Sequence, residues 1–180
     1  RHGTRTASII VREAPDTRLV PYRYPRGDMT RMRELIAHAA NAGVRIVNVS
    51  LGSNKREQWT TFEQIAGQHD NILFLVSAGN NGRDIDSQPV YPASLNLDNM
   101  LTVTSSDEDG YPAAGSNWGP GSVDLLVPGE HIPAIGFAGT PLDVSGSSYA
   151  VARVTALASR ILLDSPHLSV SALRKTILSM

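Results

Sequence analysis

Hydrophobic positions along this chain recur with two spacings, and short apolar runs alternate with stretches of helical period. Apolar, β-branched runs bounded by turn residues predict strands, and these cover Arg18–Tyr24, Val44–Gly52, Asn71–Gly79, Met100–Ser106 and Val123–Gly129. Apolar residues at helical spacing predict helices, which cover Thr30–Gly43, Trp59–Asp70, Ser147–Leu162 and Ser169–Ser179. The residues that follow His2 predict the first turns of one more, buried helix.

The order of these elements predicts an α/β fold. Asn71–Gly79 is apolar at nearly every position, which is typical of a strand covered on both faces in a parallel sheet. Strands that alternate with helices favour a mostly parallel sheet with helices packed against it. Thr30 and Ser169 are predicted as helix caps, Gly43 as a helix end and Pro25-Arg26-Gly27-Asp28 as a turn.

Composition changes this picture mainly by exclusion. The 180 residues form one domain by size, and 16 basic against 17 acidic residues give a formal net charge of −1. This balance offers no attraction to nucleic acid or to an anionic membrane, and no apolar run reaches the roughly 18 residues of a membrane span. The chain has no cysteine, which excludes disulfides and thiol catalysis, and its five histidines show no paired metal-ligand spacing.

Polar residues gather where predicted strands end. In open parallel sheets, ligands bind at the carboxyl ends of the strands, and here those ends carry Ser50-Leu51-Gly52 and Ser77-Ala78-Gly79-Asn80. Ser148 opens the long helix, where free N–H groups suit a developing oxyanion. Taken singly, Ser148 is better explained as a helix cap, Asn80 as a turn residue and His2 as an ordinary histidine.

In chain order, His2-Gly3-Thr4, "VNVSLG", "VSAGNNG" and "SGSSYAVA" together resemble the subtilisin-like serine proteases, the subtilases. "YPAS", "SNWGP" and "VDLLVPGEHI" resemble the connecting segments of that family. The resemblance covers nearly the whole chain and implies a three-layer subtilisin-like α/β fold, with a mostly parallel sheet and helices on both faces.

The resemblance also implies roles for particular residues. His2 is the expected general base, Ser148 the nucleophile, and Asn80 with the Ser148 N–H the oxyanion hole. The substrate-binding residues it implies are Ser50, Leu51 and Gly52, which pair with an extended substrate, and Ser77, Ala78 and Gly79, which line the pocket before the scissile bond. Gly27 resembles the glycine-rich stretch on the other side of the substrate. Because these pocket residues are small, they favour a substrate with a large apolar side chain before the scissile bond.

The chain departs from the family pattern at its beginning and around the serine. The family's catalytic Asp lies on a strand before the histidine, and only Arg1 precedes His2, so no aspartate is assigned. We therefore expect residues 1–180 to be a single, N-terminally truncated subtilase domain that lacks its first strand. Ser147, Tyr149 and Ala152 stand where the family usually has Thr, Met and Pro.

These residues predict a serine endopeptidase that acts through an acyl-enzyme. The alternatives left open are a catalytically inactive peptide-binding domain and a subtilase-like macrocyclase or transferase. A generic α/β hydrolase is excluded because residues 146–150 lack the Gly-x-Ser-x-Gly elbow.

The expected partners are an extended peptide or protein substrate and the absent N-terminal segment or a propeptide. No cofactor is expected; the family resemblance allows a structural calcium ion, but no site is assignable. The resemblance implies a secreted or exported protein, while a cytoplasmic one stays open.

Overall fold

The computed structural model describes residues 1–25 and 27–180, so the predicted turn at 25–28 includes one residue, Arg26, outside the described residues. The helices are α1 (His2–Glu13), α2 (Met29–Asn41), α3 (Thr60–Gln68), α4 (Ser147–Asp164) and α5 (Val170–Leu178), with short 3-10 turns at Arg56–Trp59 and Phe137–Gly139. The strands are β1 (Ile46–Val49), β2 (Leu73–Ser77), β3 (Met100–Ser106), β4 (Leu125–Pro128), β5 (Ile132–Ile135) and β6 (Pro141–Val144).

Four strands form a parallel sheet in the order β1-β2-β3-β4. The register places Ile46 opposite Leu73 and Phe74 opposite Met100. Strands β5 and β6 form a separate antiparallel hairpin. The prediction of a mostly parallel α/β sheet is confirmed, and β1 forms one edge of it.

Helices cover both faces of the sheet because alternate residues of each buried strand point to opposite sides. On β2, Phe74 and Val76 pack in one apolar cluster with side chains of α2 and α3. Leu73 and Leu75 pack on the other face with side chains of α4 and α5. The result is the expected three-layer arrangement.

Helix α4 is the central element of the molecule. It packs against all four strands of the sheet and against α1. Its first half is rich in small and β-branched side chains, and Ala150, Val151 and Ala152 are completely buried. Small side chains allow the helix to approach the sheet closely, so the position of its first turn is fixed by packing on several sides.

Helix α1 continues to Glu13 and lies against α4. Its Ile9 and Ile10 share a third apolar cluster with Tyr149 of α4 and with the β5–β6 hairpin. The sequence did not predict this hairpin, because Pro133 and Pro141 interrupt its apolar positions and two four-residue strands give little periodicity.

Two local predictions are wrong. Arg18–Tyr24 is not a strand: the described residues of this segment form no ladder, and Pro21 has no N–H to donate to one. Helix α2 is capped by Asp28 instead of Thr30, because the Asp28 carboxylate accepts a hydrogen bond of 2.9 Å from the Arg31 N–H. The cap predicted at Ser169 is confirmed by its 3.2 Å bond from the Ala172 N–H.

Candidate active site

The fold brings the predicted site segments together at one end of the sheet. The carboxyl ends of the neighbouring strands β1 and β2 lead directly into Ser50–Gly52 and Ser77–Asn80. The first turn of α4 carries Ser147 and Ser148, and a hydrogen bond joins its Ser147 to Asn80. Parallel neighbours end at the same edge of a sheet, which explains why residues far apart in sequence meet here.

Ser148 is the second residue of α4 and is 9% exposed. The helix begins after Gly146, whose φ of 127° suits glycine and gives the chain its sharp entry into the helix. The first N–H groups of a helix have no carbonyl partner within it. The Ser148 N–H is one of these, so it lies in the positive field of the helix N-terminus beside its own hydroxyl group.

Asn80 is oriented by a chain of hydrogen bonds that begins in its own loop. The Ser147 N–H and the Ser147 hydroxyl both donate to Asn80 Oδ1, each at 2.9 Å. The hydroxyl groups of Ser77 and Ser147 are 2.7 Å apart. Since the Ser147 proton goes to Asn80, the Ser77 hydroxyl donates to Ser147. Because Oδ1 accepts both of these bonds, the two ends of the carboxamide are distinguished and the NH₂ group is the donor end of the exposed Asn80 residue.

The role of Ser147 in this series of hydrogen bonds can be tested by substitution. Ser147→Ala removes one of the two donors that hold Asn80 Oδ1 and leaves the Ser77 hydroxyl without its acceptor. One such bond contributes about 1 kcal/mol, so we expect kcat for peptide hydrolysis to fall about fivefold with little change in KM. Ser147→Thr keeps the hydroxyl and should recover most of the loss; equal rates for Ser147→Ala and wild type would contradict the arrangement.

His2 begins α1 beside the first turn of α4. Its ring centroid lies 5.8 Å from that of Tyr149, the residue after Ser148. Tyr149 is almost completely buried, so the imidazole lies against a fixed aromatic side chain where the family usually has methionine. The structure thus places His2 and Ser148 on two helices in direct contact.

Ser50 is tied to the same helix from the β1 side. Its hydroxyl donates to Asn48 Oδ1 at 2.7 Å, and Asn48 Nδ2 donates to the Thr155 hydroxyl of α4 at 3.0 Å. Leu51 packs against the cluster under α2 and α3. The segment predicted to pair with substrate is therefore anchored to the helix that carries Ser148.

Gly52 lies so close to another segment that no side chain fits there. A Cβ atom at this position would be 2.7 Å from the Tyr91 carbonyl oxygen, while Ser53 and Tyr91 exchange two backbone hydrogen bonds of 2.9 and 2.7 Å. Tyr91 belongs to the "YPAS" segment, so that segment supports the predicted substrate-binding residues.

We expect Gly52→Ala to destabilise the protein by about 1–3 kcal/mol, because the Cβ atom displaces the paired backbone of Tyr91. The matched control is Gly67→Ala in α3, where nothing lies within 4 Å of an added Cβ atom. There alanine removes the entropy cost of a helical glycine and should stabilise by about 0.5 kcal/mol. Thermal unfolding of both variants measures the two effects, and the same sign for both would contradict this account.

The residues predicted to line the substrate pocket have small side chains that are mostly buried or absent. Ser77 is nearly buried and its hydroxyl faces Ser147, while Ala78 is completely buried. Gly79 is partly exposed and precedes Asn80. Lining of a pocket by these three residues stays a prediction, as does a role for the exposed Gly27.

Three aspartates illustrate where the acidic residues of this chain lie. Asp28 caps α2, and Asp143 lies on β6 beside a groove of about 500 Å³ between α1 and the hairpin. The pKa of Asp86 lies below its usual value because the Ser122 hydroxyl and the Gly121 N–H donate to its carboxylate. Among residues 1–25 and 27–180, histidine, aspartate and glutamate form no group of three or more that could hold a metal ion.

A serine at the start of a buried helix, with a carboxamide held at the carboxyl end of a parallel strand beside it, is an arrangement suited to stabilising the oxyanion of acyl transfer. The chain belongs to the subtilase family, whose family model matches residues 1–180. This confirms the resemblance read from the motifs and supports a serine protease.

Relatives and solved structures agree with this assignment. Mycosin-1 of Mycolicibacterium smegmatis is 25% identical, with 93% of this chain and 52% of mycosin-1 covered. The cell wall-associated protease of Bacillus subtilis is 26% identical, with 93% of this chain and 20% of that protein covered. This chain thus spans between a fifth and about half the length of these relatives. A solved structure of a cold adapted subtilisin-like serine proteinase superposes with a TM-score of 0.85 at 26% identity, covering 99% of this chain and 67% of the other.

Proposed function

We propose that this protein is a serine endopeptidase that cleaves peptide bonds through an acyl-enzyme. The observation that carries the proposal is the hydrogen-bond chain from Ser77 through Ser147 to Asn80 Oδ1. It fixes a carboxamide next to the N-terminus of the helix that carries Ser148. A donor held in advance where negative charge develops is the largest single contribution in many acyl-transfer enzymes.

The proposed reaction has two halves. Ser148 Oγ attacks the substrate carbonyl carbon and His2 accepts the hydroxyl proton, while the Asn80 NH₂ group and the Ser148 N–H stabilise the oxyanion. When the intermediate collapses, the amide bond breaks and His2 protonates the departing amine. Water then attacks the acyl-enzyme, giving its proton to His2, and the acid product leaves as Ser148 regains its proton.

The proposed substrate is a peptide in extended conformation. Ser50–Gly52 follows β1 at the carboxyl end of the parallel sheet, where an extended peptide can be added through backbone hydrogen bonds. The contacts of Ser50 with Asn48 and of Gly52 with Tyr91 hold this segment in place. Specificity for a large apolar side chain before the scissile bond belongs to the same proposal.

No residue of this chain is proposed as the carboxylate that orients the imidazole. Loss of that group typically costs about four orders of magnitude in turnover. The proposal therefore expects that the carboxylate comes from an N-terminal segment or another chain, or that the reaction of residues 1–180 alone is slow. An exported location is proposed from the resemblance; a relative in Bacillus subtilis is described as cell wall-associated. Among the described residues, none of the helices has the length and apolar character needed to span a membrane.

A fluorophosphonate probe tests the proposal. The probe labels only an activated serine, so mass spectrometry should find the adduct on Ser148 in wild type and not in Ser148→Ala. Incubation of a peptide substrate with and without an added amine distinguishes a hydrolase from a transferase. Acid products show hydrolysis, and amine-capped products show acyl transfer. A folded protein that neither labels nor cleaves would contradict the proposal and favour an inactive peptide-binding domain.

A further inference from the structure

A completely buried asparagine lies beneath the loop that carries Asn80. Asn117 belongs to the "SNWGP" segment, which follows β3 and is distant in sequence from every predicted site residue. Its exposed fraction is 0%, whereas Asn80 is exposed to solvent. A buried carboxamide has up to four hydrogen-bonding sites to satisfy, so its partners define its structural role.

The hydrogen bonds of the Asn117 side chain go to the backbone around Asn80. Its Nδ2 donates to the Ala78 carbonyl at 2.7 Å. Its Oδ1 accepts from the N–H groups of Asn81 and Arg83 at 2.9 and 3.3 Å. One side chain therefore holds the loop on both sides of residue 80.

The backbone of Asn117 adds to this attachment. Its N–H donates to the Gly79 carbonyl at 3.0 Å, and its carbonyl accepts a bond from the buried Thr104 hydroxyl of β3. A Cβ atom on Gly79 would lie 2.7 Å from Asn117 Nδ2, so the fit is tight on that side as well. The loop is thus connected through Asn117 to the rigid sheet.

We propose that Asn117 is a positioning residue that holds the oxyanion donor Asn80 in place, an inference that rests on the proposed function. The Ser147 bonds orient the Asn80 carboxamide, and Asn117 fixes the backbone from which that carboxamide extends. The position needs an amide because it donates to one carbonyl and accepts from two N–H groups. Aspartate at this position would lose the donor and bring negative charge close to the developing oxyanion.

The chain provides a matched control in Asn99. This asparagine is also buried, 7% exposed, and its Nδ2 contacts the carbonyl groups of Ala66, His69 and Ile72. It precedes β3 and thus lies at the amino ends of the strands, opposite the site. Asn99→Ala removes a comparable set of buried bonds without touching the Asn80 loop.

The test compares Asn117→Ala with Asn99→Ala in the intact protein, with and without Asn80→Ala. We expect Asn117→Ala to lower kcat for a peptide substrate about 10- to 100-fold while KM changes less than threefold. In the Asn80→Ala background the same substitution should cost less than threefold, because a residue that acts through Asn80 has nothing left to position. Asn99→Ala should change kcat less than twofold at a similar loss of thermal stability.

The outcomes separate this inference from the proposed function. Wild-type kcat in Asn117→Ala, or a full effect that persists without the Asn80 side chain, would overturn the role of Asn117 alone. A wild-type protein that neither cleaves peptides nor labels at Ser148 would overturn both. If Asn117→Ala does not fold, Asn117→Ser, whose hydroxyl can still accept one N–H, is measured in the same cycle with an intermediate loss expected. Full wild-type kcat in Asn117→Ser together with unchanged amide exchange at residues 78–83 would also overturn the inference.

Discussion

Replacing Ser148 with alanine should lower the rate of peptide hydrolysis by at least 100-fold and by up to about 10⁶-fold. The upper figure is the one known for loss of the nucleophile in subtilisin, a member of the same family. The lower bound follows because catalytic residues that act as a unit are not additive: without the carboxylate, which alone contributes about four orders of magnitude, less activity remains to be lost. The measurement is kcat/KM on an internally quenched peptide.

The same experiment includes His2→Ala and the double variant. We expect each single substitution to cost about as much as the two together, because a base without its nucleophile has no proton to accept. Ser159→Ala, a buried serine farther along α4, is the control and should keep wild-type activity. A fall of less than tenfold for Ser148→Ala, or His2→Ala with wild-type rates, would contradict the proposed assignments. A fall near the lower bound would show that His2 works without a carboxylate partner.

The sequence predicted the central layers of this fold because their signals are local and strong. Strand β3 was predicted with its observed bounds, and β2 and α4 within a few residues, since β2 is apolar on both faces and α4 is a long run of small and apolar residues. Both faces of β2 are covered by separate apolar clusters, which is the environment that such a strand requires.

The wrong strand at Arg18–Tyr24 shows where local pattern is insufficient. Its apolar residues are used, because Leu19 packs beside α1 and Tyr24 packs against the cluster under α2 and α3. A strand, however, exists only as part of a ladder, and composition does not say whether a neighbouring strand is present.

The sequence predicted the residues of the candidate site from their motifs, but it did not predict which residues hold them in place. Ser148, Asn80 and His2 follow from the family resemblance. The bonds that orient Asn80 come from Ser77, Ser147 and Asn117, and the hydrogen-bonding partners of such small polar residues depend on the tertiary fold. Asn117 in particular stands in a glycine- and proline-rich segment, where asparagine is first of all a turn residue. A buried polar residue shows its role only when its partners are known.

Replacing Asn80 with alanine should lower kcat by about 10²- to 10³-fold and leave KM almost unchanged. The magnitude is the one known for the corresponding asparagine of subtilisin. The effect falls on kcat because the Asn80 NH₂ group would bind an oxyanion that exists only in the transition state and the tetrahedral intermediate. In this structure Asn80 Oδ1 is held by the Ser147 N–H and hydroxyl, so the NH₂ group is committed to one direction before substrate binds.

The adjacent Asn81 is the matched control for Asn80. Its side chain is exposed, and its contact with Asn117 is made by the backbone N–H, which alanine keeps. Asn81→Ala should therefore stay within twofold of wild type in kcat. Asn80→Asp keeps the size of the side chain and the oxygen that Ser147 binds, but it removes the NH₂ donor and adds negative charge where the oxyanion forms. It should lose at least as much activity as Asn80→Ala, and the rate of labelling by a fluorophosphonate should fall in parallel, because the phosphonyl oxygen occupies the same position. An Asn80→Asp protein as active as wild type would show that the oxyanion is stabilised elsewhere.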